Sequence, residues 1–497
     1  MDMGLFFLSW TPVVLLTVLA VVLRRSAMEL SAWGFAWALV LAGVFYETPL
    51  SVCTMAALDG VLTTLPLLLV IMAGIFLSSL LMSTGSLVRI VEWFKGGAGD
   101  SLSRNLLITF GVGNFMEGAG VIAEPVVAPM LHTAGVSPTG AAALSIIGYA
   151  GLMSLELAGI IITVLALVTG LPVRELGMAT TWLSIPATVL MALSAPLFLP
   201  AGPDSRRGFG MALAIGLLLG FAALGTVWLG GLPVSGSMAG VAVILLIILI
   251  GSGRLVLMGG ILRDLLPFAF LITCLFSVNS IGYLRNLAFE RLAIRVHLIP
   301  VHVITFRPLF SAYVYIFLAF LIAARLQRIP GKQLKEVIKT GIGKGWRAFA
   351  AMALFGAMGQ VISYTGYGPG FGNLDKAHNI PWIISQGLVQ FTGSLYPVFV
   401  PLLGWVGTFL TGYGVASLML FGQLQIQAAS LLGTSGTWLA AALAVGSSIG
   451  SISSPFKIAL ATAMVGAIGK EGSVLRITIP LGVAASLLVG GLVWIFA

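Results

Sequence analysis

The sequence predicts an all-α polytopic membrane protein with about 12 to 14 transmembrane segments, its chain repeated around broken helices. Three observations carry that prediction. First, of 497 residues 59% are hydrophobic and only 8% are charged, whereas a soluble domain carries roughly a quarter charged residues. Second, apolar runs approaching the ~20 residues that span a hydrocarbon core recur at residues 5–23, 31–47, 61–84, 180–199, 209–229, 236–250, 265–284, 307–324, 346–364, 395–411 and 474–496. Third, two further apolar stretches, 103–170 and 413–469, are repeatedly interrupted by Gly, Pro, Ser and Thr.

The first run, 5–23, has no basic region before it and is followed by Arg24-Arg25 rather than a small-residue cleavage site, so it reads as a retained span, not a signal peptide. Cys53 and Cys274 each sit inside an apolar stretch, which excludes a disulfide framework and a thiolate metal site. The net charge of +9 would suggest nucleic acid in a soluble protein. Here the basic residues fall between spans, where they set orientation. The densest group, Arg325, Arg328, Lys332, Lys335, Lys339, Lys344 and Arg347, reads as a cytoplasmic loop. Arg24, Arg25, Arg89, Lys95 and Arg104 fall on the same side if the N-terminus is outside.

The interrupted stretches resemble each other. Phe115-Met116-Glu117-Gly118-Ala119-Gly120-Val121 matches Phe409-Leu410-Thr411-Gly412-Tyr413-Gly414-Val415 in its Phe, both Gly and Val. Downstream, Gly135-Val136-Ser137 and then Ala141 to Leu144 parallel Gly433-Thr434-Ser435 and then Ala440 to Leu443. Interrupted segments at matching positions of two halves point to a transporter's binding site, because unpaired backbone at membrane depth is tolerated only in a protein-lined or wet cavity. The chain therefore divides, within one membrane domain over 1–497, into a first repeat at 61–200 with broken segments 103–170, connecting spans and a basic loop at 201–345, and a second repeat at 346–497 with broken segments 413–469. The sequence leaves open whether the halves run parallel or inverted.

Ionisable groups at membrane depth are costly, and each is a functional candidate. Glu117 lies in the first Gly-flanked break, Glu124 precedes Pro125, and Glu156 follows Ser154-Leu155. Desolvated carboxylates of this kind can bind and release a proton near neutral pH, so all three are candidates for proton coupling. Glu117 has a competing role: its carboxylate can accept backbone N–H groups freed beside Gly118 and Gly120. The second stretch offers Thr411, Tyr413, Ser417, Ser447, Ser448, Ser451, Ser453, Ser454 and one cation, Lys457. Half-helix N-termini favour an anion, and Lys457 strengthens that preference. The bland alternative for the hydroxyls is close helix packing. Candidate substrate contacts are thus Gly118, Gly120, Thr411, Gly412, Tyr413, Ser417, Ser453, Ser454 and Lys457.

Arg307, at the start of an apolar run, could pair with a carboxylate or snorkel to the interface. His297 and His302 lie in a loop with Arg291 and Arg295, at a separation that suits no standard metal site. No His-Glu-x-x-His, P-loop or Gly-x-Ser-x-Gly pattern is present, so neither an enzyme nor a cofactor is expected. Without an ATP-binding module, any transport is driven by a gradient.

Phe115-Met116-Glu117-Gly118-Ala119 with Pro125-Val126, Phe409-Leu410-Thr411-Gly412 with Leu420-Phe421, and Ser454-Pro455, Val465-Gly466, Gly469-Lys470-Glu471 and Arg476 together resemble segments of the L-lactate permease family, in order along the chain. The resemblance implies proton-coupled symport of lactate or glycolate across the plasma membrane of a prokaryote. It also implies two inverted repeats with re-entrant hairpins and broken helices, often in a homodimer that works by an elevator motion. It raises Glu117, Thr411 and Ser454 as substrate-region residues. Departures are equally visible. Where the family continues Thr-Gly with Ser-Asp, this chain has Tyr413-Gly414, and Leu418 replaces an Asn. Glu124 stands where the family is Ala-rich, Ser451 replaces a Lys, and Lys457 is added after Pro455. The expected function is a secondary active transporter of a small monocarboxylate with protons. The alternatives are a sodium- or proton-coupled carrier of another small anion and, less favoured, an anion channel.

Overall fold

A computed structural model describes residues 2–23, 25–96, 98–199, 205–250 and 260–496. Among these, 11 helices are long and apolar enough to cross a bilayer, from Met3–Ala20 to Glu471–Phe496, and three shorter apolar helices, Leu157–Thr169, Ala312–Leu326 and Pro455–Met464, lie between them. The chain is an all-α polytopic membrane protein. Arg24 lies outside the described residues, and the side chains of Lys95 and Lys344 are likewise not described.

Local chemistry fixes the helix ends. Ser26 opens Ala27–Val40 with a capping box in which its hydroxyl accepts from Glu29 N–H while the Glu29 carboxylate accepts from Ser26 N–H. Ser137 and Ser435 cap Pro138–Ala150 and Gly436–Gly450 by accepting from Gly140 and Trp438 N–H. The longest helices, Leu50–Ser83 and Gly331–Ser363, pack along each other. Their approach depends on glycine: a Cβ on Gly60 would lie 2.2 Å from the carbonyl oxygen of Gly356. Small residues at such contacts let backbones meet where lipid offers no hydrophobic drive to associate.

Both interrupted regions follow one series of elements. The first runs through a helical stretch of three pieces (Ser101–Leu106, a π-helical Leu107–Val112 and Gly113–Gly118), a break, then Glu124–Thr133, Pro138–Ala150, a second break, Ile160–Thr169 and Val173–Ser194. The second runs through Tyr396–Thr411, a break, Gly414–Leu432, Gly436–Gly450, a break, Pro455–Met464 and Glu471–Phe496. The first break of each turns on a left-handed glycine, Gly120 at φ +79° and Gly412 at φ +80°, a conformation only glycine adopts freely. The two series exchange partners: Ile160–Thr169 packs on Gly414–Leu432, and Pro455–Met464 packs on Glu124–Thr133.

Several sequence expectations are corrected. The stretch 413–469 is not broken throughout, since Gly414–Leu432 is one uninterrupted helix. The basic group at 332–347 is not a loop but the N-terminal half of Gly331–Ser363, whose exposed Lys face supplies the polarity that reads as loop in sequence. Arg89 and Arg104 likewise sit in short helices, Ser86–Lys95 and Ser101–Leu106, and Arg89 pairs with buried Asp264 through Nε at 2.6 Å and Nη2 at 2.8 Å. The predicted span 307–324 starts late, at Ala312, because residues 294–306 form an antiparallel hairpin, Ile294–Ile299 with His302–Phe306. His297 and His302 therefore lie on strands, not in a loop. Arg307 leaves that hairpin with its guanidinium 3.8 Å from the Phe289 ring centroid and Nε donating to Phe289 O at 3.1 Å. Among the described residues it makes no ion pair with a carboxylate, and the span begins after it, at Ala312.

Candidate functional site

Four helices begin at the breaks: Glu124–Thr133, Ile160–Thr169, Gly414–Leu432 and Pro455–Met464. Each presents backbone N–H groups that its own helix leaves unpaired. In the first break, the N–H of Ala123 donates to Glu117 Oε1 at 2.6 Å, so this carboxylate closes the turn that Gly120 opens.

Charged side chains from both series meet here. Lys457 Nζ donates to Tyr149 Oη at 2.8 Å, and that hydroxyl donates to Glu124 Oε1 at 2.5 Å. Lys457 Nζ lies 3.9 Å from the same oxygen, 4.7 Å from the Tyr149 ring centroid and 3.7 Å from Met153 Sδ. The second oxygen of Glu124 has no hydrogen-bond partner among the described residues, nor has either oxygen of Glu156. Glu117, Glu124 and Glu156 are all buried and within electrostatic reach of one another and of Lys457. A carboxylate without a partner is costly to bury. The arrangement is therefore an acidic cluster with one ammonium, poised to gain partners.

Of the predicted substrate contacts, Lys457 reaches this cluster, and Ser454 beside it has a buried hydroxyl without a partner among the described residues. Tyr413 packs its ring 5.6 Å from that of Phe456, next to Lys457. Gly414 faces the same place: a Cβ there would meet Met153 Cε at 2.9 Å. Other predicted residues are already engaged. The Thr411 hydroxyl donates to Gly407 O at 2.7 Å, Ser417 donates to Gly404 O at 2.9 Å, and Ser453 donates to Thr478 O at 2.8 Å. Gly412 packs against Phe456, Gly120 against Ile316, and Gly118 against the backbone of Ser237. Nearby, Ser154 and Ser448 join the two series: Ser154 N–H donates to Ser448 Oγ at 2.8 Å and the two hydroxyls hydrogen-bond.

Sequence reasoning missed Tyr149 and Met153. Tyr149 lies deep in an apolar Ala- and Gly-rich helix, where an aromatic residue reads as core. Its one signal is the hydroxyl, which seeks a partner when buried.

The family model described as L-lactate permease matches residues 5–226 and 237–497. The chain is 26% identical over 410 residues to the L-lactate permease of Streptococcus iniae, covering 78% of this chain and 82% of that one. It is 26% identical over 494 residues to the L-lactate permease of Bacillus subtilis (strain 168), covering 89% and 87%. A shorter match, 43% over 88 residues and 18% of this chain and 16% of that one, relates it to the glycolate permease GlcA of Escherichia coli (strain K12).

Proposed function

Because the chain belongs to the L-lactate permease family, we propose that it is a secondary active transporter of the prokaryotic plasma membrane that carries a small monocarboxylate, lactate or glycolate, together with protons. The observation that carries this reading is the Lys457–Tyr149–Glu124 chain beside the unpartnered Glu156. Three buried carboxylates facing one ammonium hold excess negative charge, which a low-dielectric site sheds by taking up protons. With the carboxylate cluster carrying a proton, its hold on the Lys457 chain weakens, and a substrate carboxylate takes its place on the ammonium and on the N–H groups of the Pro455–Met464 helix. Release of the substrate returns Lys457 to Glu124, and the proton leaves. One site thus binds anion and proton together, which is what symport requires.

The matching element series supports two repeats, each contributing broken helices to the site; the family resemblance implies that they are inverted and that they move as an elevator in a homodimer. A second reading keeps the fold and changes the cargo to another small anion, with sodium or proton coupling. Glu124 and Tyr413 favour it, since both depart from the family pattern beside the site.

The test is uptake of labelled lactate and glycolate into proteoliposomes under an imposed inside-alkaline pH gradient. Uptake that follows the pH gradient and ignores sodium supports the proposal. Uptake that follows sodium alone rejects the coupling, and a thermal-shift response to dicarboxylates or oxyanions but not to lactate or glycolate rejects the cargo.

A further inference from the structure

Away from the substrate cluster, a second buried polar assembly ties the hairpin to two helices. Asp59, fully buried in Leu50–Ser83, receives His302 Nδ1 at 2.9 and 3.0 Å from its two oxygens and Gln360 Nε2 at 2.9 Å. The other imidazole nitrogen, Nε2, lies 3.1 Å from the carbonyl oxygen of Leu167. That carbonyl is in the last turn of the Ile160–Thr169 half-helix, whose neighbouring carbonyl at Val168 accepts from Gln423 Nε2. Both ring nitrogens of His302 thus face acceptors. A neutral imidazole carries one N–H and satisfies one of them; the imidazolium satisfies both. A cation is also favoured at a helix C-terminus, where carbonyls point outward unpaired.

This half-helix begins beside Glu156, in the break that also carries Met153, and ends at His302. At 1.5 Å per residue its 10 residues connect the substrate cluster to the hairpin as one rigid rod. We propose that Asp59 and His302 form a second proton-binding site, remote from the substrate, that clamps this half-helix to the Leu50–Ser83 frame when protonated and frees it when the proton leaves. The inference needs the chain to be a carrier but no particular cargo.

The groups that set this site's charge are few. Tyr364, at the end of Gly331–Ser363, is within electrostatic reach of Asp59; the half-helix contributes no titratable side chain. On Leu50–Ser83, Cys53 donates to Thr48 O, and the hairpin's Arg295 and His297 are exposed. Tyr315, on the helix packed against Leu50–Ser83, donates to Leu309 O. The hairpin lies outside the spanning segments. Burial of His302 opposes its charge, but the hydrogen bond and negative charge of Asp59 and the Leu167 carbonyl together raise its pKa above the ordinary imidazole value. The sign follows: the clamp is complete below the ordinary imidazole range and is lost as pH rises through the raised value.

The test compares the wild-type protein with His302→Gln and Asp59→Asn in detergent and in proteoliposomes. Thermal midpoints of wild type and His302→Gln are expected to differ most near pH ~5.5 and to converge toward pH ~8.5. The ratio of wild-type to variant counterflow exchange, at equal pH on both sides, should rise about fivefold across that range, the two variants sharing one profile set by the substrate cluster alone. A stability gap that does not change with pH, or an exchange profile shared by all three proteins, would overturn the proposal. Should the variants not fold, hydrogen exchange on wild type decides: protection of residues 164–171, after correction for intrinsic rates, must fall with rising pH while that of residues 459–467 does not.

Discussion

At the residue scale the site turns on Lys457, whose ammonium is held by Tyr149 and lies 3.9 Å from Glu124. Lys457→Gln keeps the length roughly and removes the charge, so uptake of labelled lactate should fall by two orders of magnitude or to background, on the order of ~3 kcal/mol for a buried charge-assisted contact. Tyr149→Phe removes only the bridging hydroxyl. Uptake should survive at about a tenth of wild type, and measured as a function of external pH its profile should shift, because the acidic cluster loses the hydroxyl that links it to Lys457. An unshifted profile would assign Tyr149 to packing alone. Glu117→Gln separates two roles: proton-driven uptake should vanish while counterflow persists if it carries the proton, whereas loss of folded protein would assign it to closing the turn at Ala123. Lys457 and the glutamates stood out in the sequence because a charge in an apolar run is costly and needs a reason, functional or structural. Tyr149 was not, because aromatic residues are ordinary in membrane helices, and Asp59 was not, because its partners His302 and Gln360 are separated from it by 243 and 301 residues.

At the element scale the breaks were legible and their extents were not. Gly120 and Gly412 take nearly the same φ in the first break of each series, but in the aligned motifs Gly118 matches Gly412 and Gly120 matches Gly414, so the sequence similarity marked the break and not the residue that turns it. Gly412→Ala would place a Cβ 3.1 Å from Phe456 on a left-handed residue, and ~1–3 kcal/mol of strain is expected. Its measure is a lower thermal midpoint together with impaired uptake, while Gly343→Ala, where a Cβ meets nothing within 4 Å inside a helix, should leave uptake unchanged and the midpoint the same or higher. Ser435→Ala removes the N-cap of Gly436–Gly450 and should cost about 1 kcal/mol in denaturant unfolding. One element was hidden in its first half and another entirely, for opposite reasons. The helix Gly331–Ser363 carries lysines where an apolar run was sought. The hairpin at 294–306 is short and irregular, with a register shift between Val296 and Ile299, and its alternation is too brief to stand out from helical apolar sequence.

At the scale of the whole molecule, the two series of broken helices meet the frame of Leu50–Ser83 and Gly331–Ser363 through Ile160–Thr169 and Gly414–Leu432. If transport moves the broken helices as a body against that frame, the packing there must permit sliding. Gly359 sits at the contact, where a Cβ would come within 2.9 Å of both the Cβ and the carbonyl oxygen of Met419. Gly359→Val inserts a branched side chain between frame and moving body, and overpacking of this kind costs about 1–3 kcal/mol. The two parts can relieve that cost only by separating, which opens the interface along its length. Counterflow exchange should therefore fall well below wild type, while thermal-shift binding of substrate by the purified protein persists, since the cluster of Glu124, Tyr149 and Lys457 contains neither Gly359 nor Met419. If binding and exchange fall together, the frame contact shapes the site directly and the rigid-body motion is refuted. If neither changes, the contact does not move during transport, and the sliding surface lies elsewhere in the molecule.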